Sequence, residues 1–236
     1  MANKFSEQLE KVIRGGTRPL GFGQYTAPAK PRLFILAETH TLDDGARLKG
    51  VDAIVVPGPC KCPTRKSEIL RGCSIGEDVG HKGCDFVVLD LDGAIVGIDE
   101  DTARVLRIGG DLTDAQLRAL GGLEAAALIG EAGLGDSLTF RDLLAVQRLV
   151  DFCGKTLLLR LPKIYGKAEM QALSDRGIAG VVVDSAKIDT EALRKAVDEL
   201  EPKKKGKEKS TAIVNCPTPA AHPEESEPEI EPDEDE

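Results

Sequence analysis

Glu38, His40, Asp90, Asp92, Arg107, Glu131, Arg160, Lys163 and Asp184 share one circumstance: each stands within or just beyond the last residues of an apolar run. Residues of these types could do chemistry together. Asp90, Asp92 and Glu131 supply oxygen ligands of the kind that hold Mg2+ or Mn2+, and such an ion polarises a carbonyl or stabilises an enolate. Arg160, with Arg107 and Glu38, would bind a small anionic metabolite. Lys163 follows Pro162 and would act as a base; buried beside Arg160, its amine would lose protons more readily and become a nucleophile. On this reading Lys163, Asp90 and Asp92 are the catalytic set. A plainer reading needs no site, because polar residues collect wherever a chain leaves an apolar core.

The elements that would position these residues follow a repeated pattern. Gly50-Val51-Asp52 precedes Ala53-Ile54-Val55-Val56, and Gly83-Cys84-Asp85 precedes Phe86-Val87-Val88-Leu89-Asp90. Gly122 opens a run reaching Ile129, and Gly177 opens one reaching Asp184. Continuous apolar runs after a small turn suit strands buried on both faces of a parallel sheet. Leu33–Ala37, Val105–Ile108 and Thr156–Leu161 add three more, so the spacing predicts seven strands, or eight if residues 20–23 count. Helices are expected between them. Thr113-x-x-Gln116 is a capping box, and Thr139 caps a stripe of Phe140, Leu143, Leu144, Val146, Leu149 and Val150. Phe5, Leu9, Val12 and Ile13 predict an N-terminal helix stopped at Gly15-Gly16, placed as a lid over one end of the domain. Residues 60–82 read as a polar insertion with a helix near Lys66–Arg71, and the crossover after Asp92 is barely long enough for a parallel connection.

Composition limits the function classes. The chain has 236 residues, 41% of them hydrophobic, no Trp, six Phe and two Tyr, so its core is aliphatic. That scarcity of aromatics speaks against sugar-stacking clefts and single-strand nucleic-acid platforms. Of the net charge of -9, residues 201–236 supply 11 acidic against 5 basic side chains, which leaves the body nearly neutral. No nucleic-acid partner and no membrane are expected. The start has no apolar signal core, so the expected location is cytoplasmic, where six cysteines are reduced thiols. Cys60, Cys62, Cys73 and His81 form an alternative metal set, although a one-residue gap between Cys60 and Cys62 is unusual for zinc, and Cys84 falls in a core position. The boundaries are an N-terminal helix over 1–16, a domain over 17–201, and a disordered Lys-rich then Pro-rich and acidic tail over 202–236. A homo-oligomer is compatible with all of this.

Strands alternating with helices over residues 17–200 resemble the parallel (β/α)8 or TIM barrel, specifically aldolase-type and phosphate-binding barrels, in a short or degenerate form. The resemblance implies a site at the carboxyl ends of the strands and a lyase or isomerase acting on a small carboxylate or phosphorylated metabolite. It also makes Lys163 similar to the Schiff-base lysine of class I aldolases. The last strand ends in Asp184-Ser185-Ala186 and not in a glycine-rich phosphate cup, which departs from the phosphate-binding branch. A non-catalytic barrel that serves as a binding or assembly partner fits the same pattern. Asp90-Leu91-Asp92-Gly93 resembles the first motif of haloacid-dehalogenase-type phosphatases, which would make Asp90 the nucleophile and Asp92 the acid/base; Gly110-Asp111 comes too soon after it to leave room for the motifs that family carries between them.

Overall fold

Eight parallel strands close on themselves. They are β1 (Phe34–Glu38), β2 (Ala53–Pro57), β4 (Leu70–Ile75), β6 (Phe86–Asp90), β7 (Ala103–Ile108), β8 (Ala127–Gly130), β9 (Leu157–Arg160) and β10 (Gly180–Asp184). Their order around the ring is β1-β10-β9-β8-β7-β6-β4-β2, which makes a (β/α)8 barrel. Two short strands, β3 (Cys60–Lys61) and β5 (His81–Lys82), pair in parallel as a separate two-stranded sheet. The helices are α1 (Lys4–Arg14), α2 (Asp114–Leu120), α3 (Phe140–Cys153), α4 (Lys167–Arg176) and α5 (Thr190–Asp198). The computed structural model describes residues 3–14, 32–42, 48–58, 60–61, 69–75, 81–93 and 97–201. The predicted tail and the strand considered at residues 20–23 lie outside these residues.

The eighth strand is therefore β4, in the stretch read as a polar insertion, and Leu70 and Arg71 are extended where a helix was expected. The physical reason is Gly72. A Cβ there would meet the Phe86 ring at 2.5 Å, so the barrel interior at this level is filled by a neighbouring strand's aromatic ring. The alternation of Leu70-Arg71-Gly72-Cys73-Ser74-Ile75 lacks the continuous apolar run used to recognise the other strands. The short crossover between β6 and β7 shows turns at residues 97 and 100–101, and no helix among the described residues. β8 begins only at Ala127, because Gly121 to Ala126 is spent on turns after α2.

Strand alternation sorts each strand into an inward and an outward set. Inside, Phe34, Leu36, Val55, Phe86, Val88, Val105, Ile129, Leu158 and Val182 belong to one buried cluster, which also contains Phe5, Leu9 and Val12 of α1. The Phe5 ring lies 5.7 Å from that of Phe34 and 4.7 Å from that of Phe86. Phe34 and Phe86 open their strands, so α1 closes the amino-terminal mouth of the barrel. Outside, Ile35, Leu128, Leu159, Val181 and Val183 pack against Leu117, Val146, Leu149, Met170, Leu173, Leu193 and Val197 of the helices. With one end plugged, the carboxyl mouth is the end left for a ligand.

Candidate active site at the barrel mouth

Continuing the inward register upward by two residues brings each strand to its rim residue: Glu38 after Leu36, Asp90 after Val88, Arg107 after Val105, Arg160 after Leu158, and Asp184 after Val182. Glu131 follows Ile129 by the same step, just past the end of β8. Six of the sequence-derived candidates thus arrive at the same opening from six different strands.

Four of them form a closed ring of charge. Arg160 Nη2 donates to Glu38 Oε2 at 2.6 Å and Nη1 to Glu131 Oε1 at 3.0 Å. Arg107 Nη2 reaches Glu38 Oε1 at 3.4 Å, while its Nε stands 3.8 Å from Glu131 Oε1. Each glutamate therefore faces both arginines. Asp90 hangs on the outer side, accepting from Arg107 Nη1 at 3.1 Å, and Ser74 Oγ lies 3.5 Å from Arg107 Nη2. Burial is uneven: the Glu38 side chain is 19% exposed and Arg107 24%, against 39% for Arg160 and 41% for Glu131. Arg107 Nε is buried without a hydrogen-bond partner among the described residues.

The backbone fixes Glu38 most firmly. Ser185 donates to the Glu38 carbonyl twice, from its N–H at 2.9 Å and from Oγ at 2.8 Å. Asp184 accepts the Ala186 N–H at 3.0 Å, and this bond, aided by Lys187, holds its carboxyl below the usual range against a small cost of burial. The loop after β8 is tied across to the loop after β9, because the Tyr165 hydroxyl donates to the Gly135 carbonyl; burial is the main cause that raises the Tyr165 pKa.

A cavity of about 290 Å³ opens at this ring, lined by Glu38, Thr39, His40, Val55, Val56, Pro57, Ser74, Arg107, Arg160 and Asp184. A second space of about 390 Å³ lies on the outer wall between the ends of β6, β7 and α2, with Leu91 and Leu123 exposed and Leu106 partly buried; it is a mostly apolar groove and reaches the ring only through Asp90. The first holds two arginines, two hydroxyls (Thr39 and Ser74) and Glu38, His40 and Asp184 in one small space, and is the site that can do chemistry.

Not every expected residue joins it. Lys163 is exposed, with Nζ 5.6 Å from the Tyr165 ring centroid, and it does not line the cavity. It is not buried beside Arg160, because the chain has turned outward after Pro162. Asp92 is exposed on the turn that follows β6. Asp90 and Glu131 stand on different sides of Arg107, and among the described residues no three His, Cys, Asp or Glu side chains gather at metal-binding spacing. The set Asp90, Asp92 and Glu131 does not fit a Mg2+ or Mn2+ ion. Asp90 also ends a middle strand of a closed barrel, and Asp114, at the end of the stretch opened by Gly110-Asp111, pairs with Arg148 at 2.7 Å; the phosphatase resemblance has no counterpart here. Cys62 and the side chains of Cys60 and His81 lie outside what is described. Ser74 and Pro57 escaped the sequence reading, Ser74 because its strand was not recognised.

No protein-family model matches the chain, and no curated protein matches it. Solved structures do. A mutant tryptophan synthase α-subunit from Pyrococcus furiosus shares 15% identity at a TM-score of 0.51, covering 72% of this chain and 98% of its own. Another structure of the tryptophan synthase A-subunit from that organism gives 14% and 0.51 over the same shares. A structure from Aquifex aeolicus VF5 gives 14% and 0.51, covering 83% of this chain and 96% of its own. At these identities the likeness establishes the barrel fold alone. Among the described residues no helix is long and apolar enough to cross a membrane.

Proposed function

We propose that the barrel mouth binds a small carboxylate or phosphorylated metabolite and catalyses a lyase or isomerase reaction on it, with proton transfer at a carbon beside a carbonyl. The observation that carries this reading is the ring of Arg107, Arg160, Glu38 and Glu131 above a metabolite-sized cavity. Two guanidiniums held at one opening match an anion that can accept from both. Before a ligand arrives, the glutamates occupy those donors. Glu131, the more exposed, is the one an incoming anion displaces, since returning it to water costs least. Glu38 stays, fixed by Ser185 and sheltered by the barrel wall, and acts as the base that takes the substrate proton. Arg107 and Arg160 then stabilise the negative charge that develops on the substrate oxygen. Relatives of the fold that are tryptophan synthase α-subunits support a lyase-type site by analogy of architecture only.

A non-catalytic barrel remains the second reading, favoured by one specific fact: the four ring charges already neutralise each other. Hydrogen–deuterium exchange separates the two. In D2O, incubation with small keto acids and phosphorylated keto compounds is expected to place deuterium beside the carbonyl of one of them. Glu38→Gln should lower that exchange by about 10²-fold or more, the contribution of a positioned base. A screen without exchange in wild-type protein supports the non-catalytic barrel instead.

A further inference from the structure

We propose that the metabolite taken at the barrel mouth is zwitterionic: a small carboxylate that also carries an ammonium group, and no phosphate. The inference rests on the reading of the mouth as an anion site and narrows its substrate class. What carries it is the way the protein fills its own opening. Of the two carboxylates that line the cavity, Glu38 is spent on Arg107 and Arg160, whereas Asp184 stands outside that ring. Val182 is the register partner of Arg160 on the adjacent strand, so Asp184 lies two residues, about 6.6 Å, farther along β10. An anion held by Arg160 therefore has its other end directed toward a second, negative anchor.

The two oxygens of Asp184 differ. Oδ1 accepts the Ala186 N–H at 3.0 Å, a bond within the loop that fixes the carboxylate and is the main cause of its lowered pKa. Oδ2 faces Lys187 Nζ at 3.2 Å. The Lys187 side chain is 75% exposed, and an ion pair so open to water costs little to break. Lys187 thus does on Asp184 what Glu131 does on the arginines. Each is a displaceable side chain with the charge of the ligand group that replaces it, an ammonium at one anchor and a carboxylate at the other.

Phosphate is disfavoured on two counts. The backbone N–H groups that could cradle it after β10 are spent within the protein. Ser185 donates to the Glu38 carbonyl at 2.9 Å, Ala186 to Asp184 Oδ1, and Lys187 and Ile188 to the Asp184 carbonyl at 3.0 Å each. Charge is the second count. Against Glu38, Asp90, Glu131 and Asp184 the described rim sets Arg107, Arg160 and Lys187. A phosphate monoester would bring about -1.5 to -2 further charges to this acidic excess. A zwitterion brings none.

Calorimetric titration of the full-length protein at low salt tests this with matched probes: glycine, 3-aminopropanoate, 4-aminobutanoate and 5-aminopentanoate against the plain carboxylates of the same chain lengths, with inorganic phosphate as a third class. The best amino probe should bind at least about tenfold tighter than its plain counterpart, as a charge-assisted hydrogen bond to Asp184 implies. Inorganic phosphate should bind more weakly than that probe. Asp184→Asn keeps an acceptor for the Ala186 N–H and removes the charge, so the advantage of the amino probe should vanish. Lys187→Ala removes the competing amine and should tighten the amino probe by about two- to threefold, a gain that damage to the loop could not produce. An advantage that persists in Asp184→Asn overturns the inference. So does a wild type that binds plain carboxylates with no preference for any amino probe, or that binds inorganic phosphate tightest; both leave the anion site standing. If no probe binds, or binding survives Arg160→Met, the anion site itself fails and the zwitterion with it.

Discussion

Asp52 and Asp85 hold the same post in two copies of a Gly-x-Asp turn. In each the glycine takes a left-handed φ, 77° at Gly50 and 75° at Gly83. The middle residue is buried, and the carboxylate accepts a backbone N–H from the neighbouring strand: Ile35 at 2.8 Å for Asp52, and Arg71 at 3.1 Å for Asp85. Asp52 is the deeper of the two, 5% exposed, and also receives Arg194 Nη2 of α5 and Arg32 Nη2 at 3.3 Å. Asp52→Ala would leave the Arg194 guanidinium buried without its counter-ion, and should cost about 3–5 kcal/mol in urea denaturation; a loss under about 1 kcal/mol would show that Arg194 finds other partners. The turn was legible in the sequence as a repeat. The duty of its carboxylate was not, because the partners lie 17 and 142 residues away. The same distinction governs the site. Glu38, Asp90, Arg107, Arg160 and Asp184 could be read because a strand's last inward residue is fixed by parity with the apolar residues before it. Lys163 and Asp92 stand beyond the strand ends, where parity no longer says which way a side chain goes.

Helix caps and one strand glycine carry the clearest consequences at the scale of elements. Thr139 opens α3 with a reciprocal box: Asp142 accepts the Thr139 N–H at 2.8 Å and its hydroxyl at 2.7 Å, and both bonds hold the Asp142 carboxyl below the usual range. Glu169 in α4 is lowered in the same way by the N–H groups of Leu138 and Gly166. A carboxyl whose pKa falls on folding adds stability that is complete above its unfolded value and is lost as pH drops through the folded one. The Asp142→Asn, Glu169→Gln variant should therefore melt below wild type at neutral pH, with the two curves converging below about pH 4; a gap that persists in acid would assign the loss to something other than these charges. The α3 box shows in the sequence only as Thr139 and its following stripe, while the bond from Leu138 to Glu169 joins two loops and has no local signature. Gly72 makes the second case. An added Cβ meets the Phe86 ring, and that ring stacks on Phe5 of α1, so Gly72→Ala should cost about 1–3 kcal/mol and loosen the plug. Faster amide exchange in residues 4–14 would be the readout, and unchanged exchange there would separate α1 from the β4–β6 packing. This strand was missed because a residue's absence, made necessary by a ring on the next strand, leaves no hydrophobic pattern to read.

At the scale of the whole molecule, a barrel plugged by α1 at its amino-terminal mouth offers one polar opening, and six strands deliver charge to it. The barrel could be inferred from repeated small-turn and apolar-run units because both faces of each strand are buried and local sequence must say so. The ring could not, since its bonds join residues such as Glu38 and Arg160 that are 122 positions apart and only closure brings them together. What the ring does follows from competition: its glutamates occupy the donors an anion would need. Calorimetric titration with phosphorylated and keto-acid metabolites at low salt tests this most directly, comparing wild type with Glu131→Gln and Arg160→Met. Removal of the competing carboxylate should tighten anion binding by about tenfold, equivalent to about 1.4 kcal/mol, while Arg160→Met should abolish it. Equal or weaker binding in Glu131→Gln, or binding that survives Arg160→Met, would contradict an anion site at the barrel mouth.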